Sequence, residues 1–163
     1  RTERPPREDP MPKVTRSRVV AAEPERVWEL VSDPHNLPRW WPRVVRVEDV
    51  RDPGGKRARW TAVLGTERGT GVRADFRCTG STSVERYAWE QEVEGSPFER
   101  ILKSSSVELR LRPVEGRTEV TVIGDETLRG LSRLGSTMLK GAARRRLDEA
   151  LEGIENAVGG DPR

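Results

Sequence analysis

The sequence predicts one α+β domain, in which a seven-stranded antiparallel sheet wraps around a long C-terminal helix and two short helices lie between strands 1 and 2. Three observations support this fold class. Prolines and helix-starting residues crowd into residues 21–42, strand-length segments alternate with Gly- or Pro-bearing turns from residue 45 to 127, and apolar residues at helical spacing follow up to residue 158. A chain of 163 residues is long enough to enclose a core and still hold a cavity.

The two short helices are predicted by the positions of the prolines. Pro24 suits the first turn of a helix, where its missing N–H costs nothing. Asp33 can accept N–H bonds at the start of a second helix, with Pro34 in its first position. Pro38 and Pro42 bracket this second helix, so it must be short. The adjacent tryptophans just before Pro42 are therefore placed where the chain enters the next strand.

Seven strands are predicted from alternating hydrophobicity and from the turns between them. The first runs from Val14 to Ala21, and the second lies around Val45 and Val47. The others are expected at residues 57–64, 70–79, 84–94, 98–112 and 117–127. The clearest inward face is formed by Val72, Ala74, Phe76 and Cys78. Short turns throughout this region favour a meander.

The final element, from Leu128 to Val158, is predicted to be a helix about 45 Å long. Its apolar residues fall on two stripes about a third of a turn apart. The first stripe contains Leu131, Leu134, Gly135, Met138 and Ala142, and the second contains Leu139, Ala143, Leu147, Ala150, Ile154 and Val158. Gly141 lies at the changeover, so either the helix bends there or its two halves cover different parts of the protein.

The segment from Glu25 to Pro42, ERVWELVSDPHNLPRWWP, resembles the opening segment of many START-like (SRPBCC) helix-grip proteins. The resemblance extends from about Val14 to Val158, and it is strongest to the polyketide cyclase/dehydrase and lipid-transport family. It implies a cavity between the sheet and the long helix, with the first half of the helix as a wall and the second half clamping the sheet. Members of this superfamily include lipid carriers, aromatic cyclases and hormone receptors, so the resemblance does not name the ligand.

Composition limits the class of partner and the compartment. Charged residues make up 35% of the chain, yet the net charge is only +3 and the two signs are interspersed, so we expect no nucleic-acid binding. The run Arg144–Arg146 is interpreted as solvated helix surface, with a transient contact to an anionic membrane as the alternative. Cys78 is the only cysteine, which indicates a reducing compartment, and no signal peptide or bilayer-spanning stretch is visible. The expected location is the cytoplasm.

The domain is expected to span residues 13–158. Residues 1–12 contain four prolines, three arginines and almost nothing to bury, so they are predicted to be a disordered tail. Residues 159–163 are predicted to be a disordered C-terminus.

Catalytic and metal-binding motifs are not found in the sequence. His35 is the only histidine, and it follows a helix-starting Asp-Pro pair, which favours a surface position. One histidine and one cysteine make a zinc site improbable. The serine run Ser104–Ser106 has no histidine near it in sequence, and neither a Gly-rich phosphate loop nor a G-x-S-x-G motif occurs. We therefore expect no catalytic residues, no metal and no cofactor.

A ligand pocket is predicted from polar residues whose strand parity points inward, namely Gln91, Lys103 and Glu126. The full set of predicted pocket residues is Trp41, Trp60, Phe76, Tyr87, Trp89, Gln91, Lys103, Glu126, Leu131, Leu134, Gly135 and Met138. Two alternatives stay open. A bulge or a frayed strand end would turn the polar residues to solvent, and the tryptophans would serve equally well as core without a ligand.

Three functions are consistent with this pocket. The first is binding or transport of a small hydrophobic ligand such as a lipid, a polyketide or an aromatic metabolite. The second is an enzyme of the polyketide cyclase/dehydratase type, in which a few polar residues assist proton transfer. The third is a protein-interaction module with a filled cavity. The lack of a convincing inward acid/base pair favours binding or transport.

Overall fold

The computed structural model describes residues 13–66, 69, 71–130 and 133–159, without the side chains of residues 133–136. Within these residues the strands are β1 (Val14–Val20), β2 (Val44–Arg51), β3 (Arg59–Leu64), β4 (Val72–Thr82), β5 (Arg86–Gln91), β6 (Leu102–Val114) and β7 (Arg117–Leu128). The helices are α1 (Pro24–Val31), α2 (Leu37–Trp40) and α3 (Arg133–Gly159), with 3-10 turns at Pro34–Asn36 and Pro97–Arg100.

The strands form one antiparallel sheet in the order β1-β7-β6-β5-β4-β3-β2. Strands β2 to β7 follow one another as the predicted meander, and β1 completes the sheet by pairing with β7. The C-terminal half of α3 packs against the sheet and contributes five buried residues to the hydrophobic core, namely Leu147, Ala150, Leu151, Ile154 and Val158. The predicted α+β helix-grip fold, with short helices between strands 1 and 2, is confirmed.

Helix α1 forms where Pro24 predicted it, whereas Asp33 and Pro34 start a 3-10 turn and α2 begins only at Leu37. Pro38, predicted to bracket the second helix, instead lies in the first turn of α2. Pro24 occupies the first turn of α1, and the Asp33 carboxylate accepts a hydrogen bond from the His35 backbone N–H at 3.0 Å. The end of α2 packs closely on α3 at Gly153. A Cβ atom at this glycine would lie only 2.5 Å from the carbonyl oxygen of Trp40. This close approach therefore requires a residue without a side chain at position 153.

Two ion pairs connect β1 to α3. Arg16 lies 2.7 Å from Asp148, and Arg18 lies 2.8 Å from Glu155. All four side chains are at least one-third exposed, so each pair contributes little free energy. Their structural effect is to align the C-terminal half of α3 along the edge strand of the sheet.

Several strand ends differ from the prediction by one to three residues, and two elements begin at least four residues later than predicted. Helix α3 begins at Arg133 rather than Leu128, because β7 continues through Leu128 and Gly130 then turns the chain with a φ of 74°. Strand β6 begins at Leu102, since the preceding Pro97–Arg100 segment forms a 3-10 turn. At the C-terminus, Gly159 still belongs to α3. The predicted disordered C-terminus, residues 159–163, is therefore wrong at its first residue, while residues 160–163 and the predicted tail 1–12 lie outside the described residues.

Candidate ligand-binding site

The inner face of the sheet carries a cluster of aromatic rings in mutual contact. Trp89 lies at the centre of this cluster. Its ring centroid is 5.4–6.0 Å from those of Trp40, Trp41, Trp60 and Tyr87. Trp60 also stacks on Phe76 with an interplanar angle of 12°. Each such pair adds about 0.5–1.5 kcal/mol beyond its burial. The rings therefore fill much of the interior, and space for a guest must lie beside them.

One transverse row of the inner face changes from aromatic to polar. Trp60 on β3 pairs with Phe76 on β4, and Phe76 pairs with Gln91 on β5. The β5–β6 register continues this row to Ser105, which pairs with Glu126 on β7. The polar end of the row is therefore assembled by strand register from residues far apart in sequence.

Arg146 of α3 lies over the polar end of this row. Its Nη2 atom donates a hydrogen bond to Oε1 of Glu126 at 2.7 Å, and the Ser105 hydroxyl donates to the same oxygen at 3.3 Å. The guanidinium carbon is 5.9 Å from the ring centroid of Trp41, within cation–π range. The Arg146 and Glu126 side chains are 34% and 28% exposed, so solvent partly screens the pair. Arg146 thus connects α3 to both the sheet and the tryptophan cluster.

Two spaces meet at this ion pair. The first is a small cavity of about 40 Å³, large enough for about one water molecule. It is bordered by Val14, Gly124, Leu128, Lys140 and Leu147. The second is an open cleft of about 290 Å³ bordered by Pro42, Arg43, Ala142, Arg145 and Glu149. Both spaces are also lined by Glu126, Leu139, Ala143 and Arg146. These four side chains, which we call the partition, separate the cavity from the cleft.

Several buried polar groups near these elements have no hydrogen-bond partner among the described residues. They are the Nε1 atoms of Trp40 and Trp60, Nε2 of Gln91, Nε of Arg146 and the hydroxyl of Tyr87. An unpaired buried polar group typically costs about 1–3 kcal/mol. All but the hydroxyl are pure donors, so the interior is suited to a water or guest that offers acceptor oxygens.

Two further buried groups are held in their neutral forms. Burial, followed by the influence of the nearby Cys78, raises the pKa of Tyr87 above its ordinary value. Burial likewise raises the pKa of Cys78, although its thiol donates a hydrogen bond to the Gly80 carbonyl at 3.4 Å. Neither residue is thus set up as a phenolate base or a thiolate nucleophile near neutral pH.

Most of the predicted pocket residues do lie on the inner face. Trp60, Tyr87 and Trp89 are buried within the ring cluster, while Trp41 and Phe76 are half-buried at its margin. Of the predicted polar residues, Gln91 and Glu126 lie in the polar row, and Glu126 lines both spaces. The sequence therefore identified one half of the Glu126–Arg146 pair.

Lys103 does not face the interior, and its predicted position is wrong. The side chain is exposed because β6 has a register shift between Leu102 and Ser104, which breaks the alternation. Leu102 is consequently buried, whereas Ile101, which has the same parity as Lys103, is 59% exposed. The alternative interpretation, in which a bulge turns the polar residue to solvent, is therefore correct for Lys103.

The predicted wall residues from the first half of α3 have different outcomes. Met138 is 77% exposed, so its predicted pocket position is wrong. The reason is helical phase: Leu139 lines both spaces, and its neighbour Met138 is rotated about 100° away from it. Leu131 lies outside the described residues. Leu134 and Gly135 belong to α3, but the surroundings of these two residues lie outside the described part of the chain.

Two residues of the site were missed in the sequence. Arg146 was assigned to a solvated run, yet it follows Ala143 by three residues and Leu139 by seven, which places it on their face of the helix. This spacing is the signal that could have found it. Ser105 shares the parity of Val107, but it was considered only as part of a serine run.

Neither a metal cluster nor a membrane-spanning helix is found in the described part of the chain. No group of three or more His, Cys, Asp or Glu side chains there is arranged to hold a metal ion. Among the same residues, no helix combines the length and the apolarity needed to cross a bilayer.

Comparison with known proteins supports the fold and assigns the family. Among solved structures, a START superfamily protein from Mycobacterium smegmatis has a TM-score of 0.71 at 15% identity, covering 90% of this chain and 97% of that chain. The Zhui aromatase/cyclase from Streptomyces sp. R1128 has a TM-score of 0.72 at 18% identity, covering 91% and 93%. A protein from Thermus thermophilus has a TM-score of 0.69 at 21% identity, covering 90% and 97%.

These similarities to solved structures establish the fold alone. A search of curated proteins finds no match to the sequence. The sequence model of the family described as polyketide cyclase/dehydrase and lipid transport matches residues 11–159. The chain therefore belongs to the polyketide cyclase/dehydrase and lipid transport family.

Proposed function

We propose that the protein binds a small hydrophobic molecule between the inner face of the sheet and α3. The observation that carries this proposal is the buried, unpaired Nε–H group of Arg146 at the boundary between the cavity and the cleft. Trp60 and Gln91 line neither space, but they also have a buried N–H group without a partner among the described residues. A sealed apolar core rarely retains such groups, whereas a ligand site uses them to orient its guest.

Entry of the guest is proposed to occur through the open cleft beside Pro42 and α3. This cleft, of about 290 Å³, is close to the lower end of the range for small-molecule pockets. The smaller space, of about 40 Å³, is by itself too small for an organic guest. Because the partition consists of side chains rather than backbone, rotamer changes of Leu139 and Arg146 would join the two spaces.

A second candidate is proton-transfer chemistry of the cyclase/dehydratase type, because Glu126 is a carboxylate that lines both spaces. However, its Oε1 atom already accepts hydrogen bonds from Arg146 and Ser105. It would have to leave both donors to act as a general base. We therefore favour binding or transport over catalysis. The Zhui structure is named as an aromatase/cyclase, and that similarity keeps the second candidate open to test.

Two further proposals concern the compartment in which the protein works and its contact with membranes. A reducing compartment such as the cytoplasm is proposed because Cys78 is the only cysteine of the sequence and is buried as a free thiol. A transient contact with an anionic membrane is proposed through Arg144 and Arg145, which are exposed. Arg146 does not contribute to that surface, because it is turned towards Glu126.

The experiment is uptake of a neutral apolar fluorophore, N-phenyl-1-naphthylamine, by wild type and by two leucine variants of α3. Ala143→Leu adds bulk to the partition and should abolish uptake. Gly141→Leu adds the same side chain on the same helix, but a Cβ at Gly141 meets nothing within 4 Å, so uptake should be unchanged. Equal uptake by all three proteins, or none by wild type, would contradict the proposed site. Mass spectrometry of molecules released from protein purified from its own source would then identify the natural guest.

A further inference from the structure

We infer that the guest is an organic anion, an apolar body carrying one acidic group, and that Arg146 is the residue that recognises the acid. This inference rests on the proposed function and specifies the chemical class of its ligand. It is argued from the charges around the two spaces, from the unused hydrogen-bonding capacity of Arg146 and from the position of Glu126.

The residues that line the two spaces carry a net positive charge. Arg43, Lys140, Arg145 and Arg146 supply four positive charges, and Glu126 and Glu149 supply two negative charges, which leaves a formal excess of two. Within the described residues, the ion pairs involve Arg146 but not the other three cations. The outer face of the sheet differs, because its arginines are paired with glutamates, as Arg73 is with Glu48. A positive cleft of this kind attracts anions and raises their local concentration.

Arg146 has hydrogen-bonding capacity that the protein leaves unused. Its Nη2 atom binds Glu126, but its Nε atom is buried and has no partner among the described residues. The Nε–H and one Nη2–H point from the same edge of the planar guanidinium, which is the edge that binds carboxylates in bidentate fashion. One half of that edge is therefore free for an acidic oxygen. The Trp41 ring, 5.9 Å from the guanidinium carbon, offers an apolar surface next to it.

Glu126 occupies the place that the acid of a guest would take. It is a carboxylate at 2.7 Å from the guanidinium, on the boundary between the cavity and the cleft. An entering acid can bind at Nε beside Glu126 or displace it from Nη2. In either case Glu126 repels the guest acid electrostatically, so it lowers the affinity for anions. A purely structural ion pair between α3 and β7 would make no such distinction between charged and neutral guests.

The test uses two fluorophores with the same anilinonaphthalene body, one anionic and one neutral. They are 1-anilinonaphthalene-8-sulfonate and N-phenyl-1-naphthylamine, titrated at constant ionic strength. Wild type should bind the sulfonate about tenfold tighter than the neutral probe. Arg146→Gln should weaken sulfonate binding about tenfold or more and change neutral-probe binding less than about twofold. Glu126→Gln should strengthen sulfonate binding and leave the neutral probe unchanged.

The matched control is Arg144→Gln, which removes the same charge from the same helix. Arg144 is exposed and lines neither space, so both probes should bind this variant as they bind wild type. Equal loss of sulfonate binding in Arg144→Gln and Arg146→Gln would overturn the role of Arg146 in favour of general charge attraction. Equal affinity of wild type for the two probes would overturn the anion inference while leaving the binding function intact. If neither probe binds wild type, the proposed function itself fails. If Arg146→Gln does not fold, the anion inference is still tested by the affinities of wild type for the two probes and by the sulfonate affinity of Glu126→Gln.

Discussion

Replacing Gly153 with alanine should destabilise the protein, although alanine is the better helix former. Gly153 lies inside α3, where the change to alanine gains about 1 kcal/mol of helix propensity. The added Cβ would lie 2.5 Å from the carbonyl oxygen, 2.8 Å from the Cα and 3.0 Å from the carbonyl carbon of Trp40. All three are backbone atoms, so no side-chain rotation can relieve the contact. Helix α2 would have to move by about 1 Å to restore ordinary van der Waals distances.

The net loss should be about 1–2 kcal/mol. Overpacking costs about 1–3 kcal/mol, and the upper part of that range, about 2–3 kcal/mol, applies here because the contacts are with backbone atoms. Subtracting the propensity gain of about 1 kcal/mol leaves the net loss of about 1–2 kcal/mol. For a domain of this size the melting temperature should fall by about 3–6 °C. The assay is urea denaturation followed by tryptophan fluorescence, which reports directly on Trp40 and its neighbours. The emission of the folded variant should also shift, because Trp40 and Trp41 move with α2.

Gly141→Ala is the control, because a Cβ there meets nothing within 4 Å. This variant should gain about 0.5–1 kcal/mol from helix propensity alone. The two variants should therefore differ by about 1.5–3 kcal/mol and lie on opposite sides of wild type. Stabilisation of both to the same extent would refute the close contact between α2 and α3.

Three other outcomes are expected. Trp40 is buried, so Trp40→Ala should lower the free energy of unfolding, measured in urea, by about 3–5 kcal/mol. Trp41 is only half-buried, so Trp41→Ala should lower it by less than about 1.5 kcal/mol while weakening probe uptake. Equal losses of stability in the two variants would show that both rings are structural. Hydrogen bonds from Arg73 and Arg46 lower the pKa of Glu48 from its ordinary 4.5 to about 2. The ionised carboxylate therefore stabilises the fold fully above about pH 4.5, and this stabilisation is lost as the pH falls towards 2. The pH dependence of the denaturation midpoint in this range should be shallower in Glu48→Gln, and an unchanged slope would contradict the pairing. Val84 has a φ of 63°, which is strained for a β-branched residue. Val84→Gly should therefore stabilise the protein by about 0.5–1 kcal/mol. A loss of stability would show that the packing of the Val84 side chain outweighs the backbone strain.

The fold was predictable because its signals are local. Pro24 and Pro34 mark helix starts by their own geometry, and the alternation through Ala74, Phe76 and Cys78 fixes which face of β4 is buried. Val72, at the start of the strand, was predicted to face inward and is exposed. The resemblance of the segment around Trp40 and Trp41 to START-like proteins supplied the topology. These features can be recognised without knowing which distant residues pack against them in the fold.

The site was less predictable because its geometry is set by distant contacts. Lys103 has the inward parity, but the bulge after Leu102 depends on how β6 pairs with β7. Among the glycines of the long helix, the sequence analysis singles out Gly141, at the changeover between the two apolar stripes. The structure shows a close backbone approach at Gly153, which becomes visible only once α2 is placed on α3.

The same limit applies to the Glu126–Arg146 pair at the candidate site. Glu126 was predicted to face inward from its strand parity. Its partner lies 20 residues away on another element. Only the packing of α3 on the sheet turns Arg146 inward while Arg144 and Arg145 remain exposed.

The most direct test of a guest site between the sheet and α3 is an NMR titration of ¹⁵N-labelled protein with N-phenyl-1-naphthylamine. The Nε–H signal of Arg146 and the indole N–H signal of Trp41 are assigned from Arg146→Lys and Trp41→Phe variants. Both signals should shift as the probe saturates the protein, since Arg146 belongs to the partition and its guanidinium carbon lies 5.9 Å from the ring centroid of Trp41. The open depression beside Arg86 and Arg110 on the opposite face should show no change. Shifts confined to that outer depression, with Arg146 and Trp41 unaffected, would contradict the account.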